Sequence, residues 1–415
     1  MTKVIADFHV HSKYARATSG RCEPDGLAEG AKIKGINVMA TGDFTHPLYF
    51  EELKAKLKNE ENGLYNYKGI KFIFSVEVAI FYWVKNVSKK MHLVILAPNL
   101  EVAEQINEML SKRGNLSADG RPMFKFEPSE MVYELQKISK EIFIIPAHIW
   151  TPHFSLFGSN SGVDSIEEAF QDQSKNIFAL ETGLSSDPVM NWMISALDRY
   201  ALISNSDAHS IDKLGREANV FDLENVSYSS LINAIKTRKG FVKTYEFYPE
   251  EGKYHYDGHR DCKVVLSPFE SKKCGGICPV CKRKLTIGVM NRVAELADRK
   301  YGFKPENAVP FKYVVPLKTV ISKILKKGEL SVHVNEEYSK IVTYFGNEFS
   351  VYEASDEQIR LATSPEIANA IKRVNVGEVK WVPGHDGVFG ELSFEEVTKP
   401  GQVSVDKKQR TLDDF

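Results

Sequence analysis

The chain has 415 residues, with 54 Lys and Arg against 55 Asp and Glu, 43% hydrophobic residues, 27 Gly, 17 Pro and 5 Cys. At about 100–200 residues per domain this allows two to four domains around a substantial core, and it excludes collagen-like, disordered and disulfide-scaffold chains. The opening MTKVIADFHVHS lacks the basic stretch, apolar run and cleavage site of a secretory signal, and no apolar run reaches the roughly 18 residues of a membrane span, so a cytoplasmic chain with reduced cysteines is expected.

From residue 3 to about 245, short β-branched runs alternate with amphipathic stretches. VIADFHV precedes a predicted helix over 25–34, INVMAT one over 48–58, and KFIFSVEVAIFYW and HLVILA precede helices over 100–112 and 128–140. IFIIPA, IFALET, a helix over 187–199, ALISNS and a helix over 228–237 complete the series. Repeated β-α units predict an α/β fold, a distorted barrel with a parallel or mostly parallel sheet, over residues 1–245. Residues 246–287 hold a cysteine cluster, and 288–330 form a basic helical segment starting near TIGVMNRVAELADRK. Residues 331–400 read as an α+β C-terminal domain, with helices in EEYSKIVTYF and EIANAIKRV before the hairpin signal VKWVPGHDGVFGELSF, and 401–415 as a flexible tail.

Histidines and acids recur near the ends of these strands. His9 and His11 follow VIADF, Asp43 follows INVMATG, Glu77 sits in FSVEV, His148 follows IFIIPA, and Asp207 and His209 follow ALISNS. In an α/β barrel the loops at that end converge, so residues far apart in sequence meet in one site. A mixed His and carboxylate set suits two or three divalent cations (Zn, Mg or Mn), which a bridging carboxylate can hold about 3.5–4 Å apart across a phosphoryl displacement. The chemistry this predicts is metal-assisted phosphoester hydrolysis.

The segments DFHVHS, GDFTHP, VEV, HLVIL, PAH and NSDAHS, in this order, resemble the polymerase-and-histidinol-phosphatase (PHP) family of metal-dependent phosphoesterases over residues 1–240. The resemblance implies metal ligands at His9, His11, Glu77, His92, His148, Asp207 and His209, with Asp43 standing where the family usually has a His. Glu77 is expected as the bridge, and Glu77 and Asp207 as the carboxylates central to catalysis. Arg16 stands where many relatives place an acid or a His, and beside Lys13 and Tyr14 it is expected to contact a substrate phosphate. His46 and His153, each next to a proline, are reserve candidates, and Glu181 reads as an ordinary strand-end carboxylate.

Four cysteines, Cys262, Cys274, Cys278 and Cys281, form C-x11-C-x3-C-x2-C and are expected to hold one structural zinc, the CPVC pair being a knuckle turn. Residues 260–327 carry 16 Lys and Arg against 5 Asp and Glu. That excess, with Lys272, Lys273, Lys282, Arg283 and Lys284 around the cysteines, is the footprint of a polyanion such as DNA. The final Gln409, Leu412 and Phe415 match Q-x-x-L-x-x-F, which looks like the motif that docks replication proteins on the sliding clamp PCNA.

In this order the parts resemble a family of archaeal DNA-repair endonucleases built on a PHP domain. That resemblance implies hydrolysis of the phosphodiester 5′ to a deaminated base (hypoxanthine, uracil, xanthine) or an abasic site, leaving 3′-hydroxyl and 5′-phosphate ends. The alternative, a small-molecule phosphomonoesterase of the histidinol-phosphatase type, shares the metal motifs but needs neither the cysteine module nor the basic segment.

Overall fold

The structure, a computed structural model, describes residues 1–394. Its centre is a mixed α/β fold around an eleven-stranded sheet. The first strand, Thr2–Asp7, lies between Val38–Ala40, to which it runs parallel, and Ala218–Leu223, to which it runs antiparallel. Val38–Ala40 pairs in parallel with Ile70–Val84, which turns back into Val87–Ala97, and the latter pairs antiparallel with Phe143–Pro146.

The sheet is therefore mixed, where repeated β-α units predicted a mostly parallel one. The reason is the 15-residue strand Ile70–Val84 and its partner, a hairpin closed by Lys85 and Asn86 at φ 48° and 68°, the left-handed pair of a type I′ turn. Two further strands, Ala179–Glu181 and Ala201–Ile203, pair only with each other. The gap beside them is closed by single bonds and side chains. The Ile149 N–H donates to the Glu181 carbonyl, and the Asn219 amide donates to the Ser204 and Ala6 carbonyls.

The helices form largely where the apolar spacing puts them, at Pro24–Lys34, Pro47–Lys56, Leu100–Ser111, Pro128–Ile138 and Tyr228–Thr237. The exception is 187–199, where only Pro188–Asn191 and a 3-10 turn, Ser195–Leu197, are regular. Polar side chains compete with the helix there: the buried Asn191 amide donates to Ser186 Oγ and the Asp187 carbonyl, and Asp298 captures the Ser195 N–H.

Beyond residue 245 the segments divide among three hydrophobic clusters. Val289, Met290 and Val293 of the helix Val289–Leu296 pack into the core of the first domain, and the strand Phe311–Tyr313 extends its sheet beside Phe241–Glu246. Leu317–Leu325, Val332–Phe345, Asp356–Ala362 and Pro365–Asn375 build a second core with the hairpin Lys380–Val382/Glu391–Ser393. A third small cluster surrounds Cys278.

The first two units are joined by a buried ion pair. Lys34 Nζ lies 2.6 Å from Glu348 Oε2, and the same carboxylate accepts from the Tyr338 and Tyr352 hydroxyls and the Leu317 N–H. Burial pushes the Glu348 carboxyl up, but Lys34 and the tyrosines outweigh it and bring it down to about 2. Lys34→Met is expected to cost about 3–5 kcal/mol in denaturant unfolding, because it leaves a buried charge unpaired. Since the folded pKa is depressed, the stabilisation is present above the ordinary 4.5 and is lost as pH falls through about 2.

Candidate metal centre and zinc module

The loops after four strands, Thr2–Asp7, Val38–Ala40, Phe143–Pro146 and Ala201–Ile203, converge with the middles of two more, Ile70–Val84 and Val87–Ala97. The His11 N–H donates to the Ala208 carbonyl at 3.0 Å, which draws the loop after Ala201–Ile203 against the loop after Thr2–Asp7. His11 Nε2 then lies 3.1 Å from an Asp207 oxygen and 3.2 Å from Glu77 Oε2. Glu77 is in the middle of its long strand, and its other oxygen lies 2.6 Å from His92 Nδ1 and 2.9 Å from His148 Nε2. Asp43, His148 and Asp207 adopt left-handed φ of 44°, 31° and 47°, strain of about 1–3 kcal/mol each that the surrounding structure must hold in place.

Two sets of donor atoms result. His9, His11, Glu77 and Asp207 offer four ligand atoms within 4.8 Å of one another, and Glu77, His92 and His148 offer three more on the same terms. Glu77 belongs to both, the geometry of a bridging carboxylate. The donors fit divalent cations on a second ground: His9 Nε2 is buried and has no hydrogen-bond partner, while its Nδ1 is held 3.0 Å from Glu181 Oε1. His11 Nδ1 is held in the same way by Asp43 at 3.1 Å and His148 Nδ1 by Thr151 at 3.1 Å, contacts that fix ring orientation and turn the free nitrogen toward the cluster.

The charges interlock. Burial pushes the His9 imidazole down, but Glu181, Glu77 and Asp207 outweigh it and raise it well above its ordinary value; Asp43, Asp207 and Glu77 do the same for His11. Burial pushes Glu77 and Asp207 up, and the surrounding imidazoles bring both well below the ordinary carboxylate range. Burial instead dominates His92 and lowers it to about 4. Carboxylates held ionised among imidazoles are the state a divalent cation needs, its binding displacing protons from the rings.

Three of the expected site residues lie outside the two donor sets. Asp43 stands outside both donor sets: one oxygen holds His11 and the other accepts from the Ser12 N–H and hydroxyl, so it orients a ligand. His209 is also outside them, its ring 4.3 Å from that of His11 and its Nδ1 turned to the Asp207 carbonyl. Arg16 has an 82% exposed side chain paired with Asp119. The arginine at the cluster is Arg121, 3.0 Å from Glu77 Oε2. It comes from the connection between Leu100–Ser111 and Met123–Lys125, whose lack of periodicity left it unread, and is fixed there by Gly120 N–H donating to the Tyr14 carbonyl and Ala79 N–H to the Pro122 carbonyl.

Glu181, read as an ordinary carboxylate, clasps His9 and the His148 N–H. Of the reserves, His46 stacks on Tyr14 and His153 bonds Asn160.

In the zinc module the donor group differs from the four cysteines expected. His259, Cys262, Cys278 and Cys281 bring their ligand atoms within 4.8 Å of one another, and Cys274 is exposed outside this group. His259 ends the strand Asp257–His259, and the 3-10 turn Arg260–Cys262 carries Cys262 back beside it, so H-x-x-C faces C-x-x-C. Cys281 Sγ lies 3.9 Å from His259 Nε2, near the roughly 3.6 Å that separates two donors on one tetrahedral zinc. Cys274 instead caps the helix Pro268–Lys273. Burial pushes the Cys278 thiol up, but the N–H groups of Cys281 and Val280 outweigh it and bring it below its ordinary value. Lys272, Lys273, Lys282, Arg283 and Lys284 are all exposed around the module.

Known proteins are similar to this chain. A PHP-associated family model matches residues 199–239, which include Asp207 and His209. The uncharacterized protein YqxK of Bacillus subtilis (strain 168) is 27% identical over 94% of this chain and all of its own length. A crystal structure of endonuclease Q in complex with a 27-mer duplex bearing an abasic lesion at the active site has a TM-score of 0.84 and 29% identity, covering 98% of this chain and all of that one. The crystal structure of the lesion-specific endonuclease PfuEndoQ from Pyrococcus furiosus has a TM-score of 0.86 and 31% identity, covering 95% of this chain and 96% of that one. With that identity sustained across nearly the whole of both chains, from the PHP-type fold through the zinc module to the C-terminal hairpin, the chain belongs to the endonuclease Q family.

Proposed function

We propose that this chain is a metal-dependent DNA-repair endonuclease that hydrolyses the phosphodiester 5′ to a deaminated base (hypoxanthine, uracil or xanthine) or an abasic site, leaving 3′-hydroxyl and 5′-phosphate ends. The observation that carries the reading is Glu77 shared between two donor sets, in a chain that aligns end to end with a lesion-specific endonuclease. When bound there, two or three divalent cations (Zn, Mg or Mn) would supply positive charge to the phosphoryl oxygens and an activated water.

The chain's own residues do the rest. Glu181, Asp43 and Thr151 hold the ligating imidazoles in place. Arg121 Nη1 reaches Glu77 Oε2 from a side chain 30% exposed, so its guanidinium fork meets a phosphate entering the site from solvent. The exposed cations of the zinc module hold the backbone further along the duplex. No helix among the described residues is long and apolar enough to cross a membrane. The proposed clamp-docking residues Gln409, Leu412 and Phe415 lie outside the described residues, and their spacing alone supports a PCNA partner.

The test is an end-labelled duplex with one deoxyinosine, incubated with Mg²⁺ or Mn²⁺ beside an undamaged duplex and an Asp207→Ala variant. A single nick 5′ to the lesion, absent from both controls, is expected. No cutting of deoxyinosine, uracil or abasic DNA, with brisk hydrolysis of a small phosphomonoester, would replace this reading with the phosphatase.

A further inference from the structure

The segment Pro383–Gly390, PGHDGVFG, joins the two strands of the C-terminal hairpin and takes no part in the chemistry above. It is far from a loose loop. The Gly384 N–H donates to the Glu250 carbonyl, Gly387 N–H to that of Lys253 and Gly390 N–H to that of Glu251, while Tyr256 N–H donates to the Gly384 carbonyl. Asp386 accepts from the Arg260 N–H at 2.8 Å and from the Thr286 hydroxyl at 2.6 Å. The fit needs glycine: a Cβ on Gly384 or Gly390 would come within 2.2 Å and 2.0 Å of the carbonyl oxygens of Gly252 and Glu250. The tip is thus clamped to the zinc module, two of its anchors flanking the His259-x-x-Cys262 turn and the last knuckle.

This rigid tip holds apolar side chains in water. Phe389 is 61% exposed and Val388 beside it 42%. Scattered exposed hydrophobics are ordinary; these two sit on an immobilised hairpin beside cations, with Lys253 Nζ 4.5 Å from the Phe389 ring centroid and Arg260 on the neighbouring strand end. An aromatic face flanked by lysine and arginine is the chemistry that stacks on nucleobases and steers a phosphate backbone. Below the tip a cleft of about 750 Å³ separates Tyr254, Thr286 and Asp386 from Pro152, His153 and Asn160. The loop on its far side starts from His148, one of the candidate donors of the metal centre. The tip therefore borders a cleft that lies between the zinc module and the loop that follows His148.

We propose that Phe389, with Val388 beside it, is a wedge that enters the base stack of the duplex at the lesion and fills the gap left when the damaged nucleotide turns out toward the metal centre. The inference rests on the endonuclease reading above. Turning a nucleotide out of a duplex sacrifices stacking and pairing, and an apolar side chain inserted at that step offsets the loss. A hairpin fixed by backbone hydrogen bonds can hold the opened step because it does not yield.

The experiment compares wild type and Phe389→Ala on two substrates: a fully paired duplex with one deoxyinosine, and the same lesion inside a preformed bubble of mismatches. Phe389→Ala is expected to nick the paired duplex at least about tenfold more slowly and the bubble within about twofold of wild type, because the bubble has already lost the stacking the wedge offsets. Phe389→Trp should restore the paired duplex, and unchanged zinc content and melting temperature exclude a folding defect. Equal rates on the paired duplex, or equal losses on both substrates, would overturn the wedge while wild-type nicking leaves the endonuclease reading standing. A wild type that cuts neither substrate would overturn both. A change in oligomeric state on Phe389→Ala without any change in duplex nicking would assign the tip to a protein interface instead.

Discussion

Glu77→Gln is expected to lower nicking of a lesion duplex by at least about 1,000-fold, equivalent to about 4 kcal/mol of transition-state stabilisation. The size follows from position. Glu77 is the one residue common to both donor sets, and its two oxygens face four imidazoles and the Arg121 guanidinium. An amide cannot bridge two cations as a carboxylate does, and it leaves Arg121 without its partner, so the variant should lose metal as well as rate. Glu181→Gln provides the graded control. Its carboxylate touches His9 Nδ1, and loss of such an orienting partner costs about 10–100-fold in metal affinity or activity. Metal content measured by elemental analysis, beside the nicking rate, checks both. Full activity in Glu77→Gln would remove the bridge from the mechanism, and equal losses in the two variants would mean that Glu77 does no more than orient.

What the sequence disclosed of this site, and what it hid, has a physical pattern. The candidate ligands at His9, His11, Glu77, His92, His148 and Asp207 are legible because each stands in or beside an apolar, β-branched run, and the fold brings those runs together. Asp43 fell among the expected ligands because it stands at the same kind of strand end. Only its three bonds to His11 and Ser12 show that it faces the ring. Arg121 was hidden because it lies in an aperiodic connection, pinned by tertiary bonds to Tyr14 and Ala79 that no local pattern encodes. The antiparallel hairpin Ile70–Val84/Val87–Ala97 was hidden for a related reason. Its two-residue turn is Lys-Asn and not the Asn-Gly that usually announces a type I′ turn, and burial on both faces erases the alternation that marks a strand.

His259→Ala is expected to weaken zinc binding by at least about 100-fold, more than the loss of an outer hydrogen-bond partner costs, whereas Cys274→Ser should leave it unchanged. The contrast follows from two facing turns of the same length, His259-x-x-Cys262 and Cys278-x-x-Cys281, each of which would offer two donors to one tetrahedral ion. A count of cysteines alone passes over the first turn and admits Cys274, which the structure leaves exposed at the end of the helix Pro268–Lys273. Competition with a chromophoric chelator measures the affinities, and limited proteolysis within 246–287 reports the fold of the module. Few apolar residues surround Cys278, so the metal supplies most of the module's stability and its loss should open the segment to protease. The effect should not stop there. Asp386 fastens the C-terminal hairpin to the Arg260 N–H, inside the first of these turns, and to Thr286, just after the second, so stripping a zinc held there should also release the tip that carries Phe389. His259→Ala should therefore lose nicking of a paired lesion duplex together with zinc, while Cys274→Ser keeps both. Zinc loss in Cys274→Ser with retention in His259→Ala would reverse the assignment of the fourth ligand.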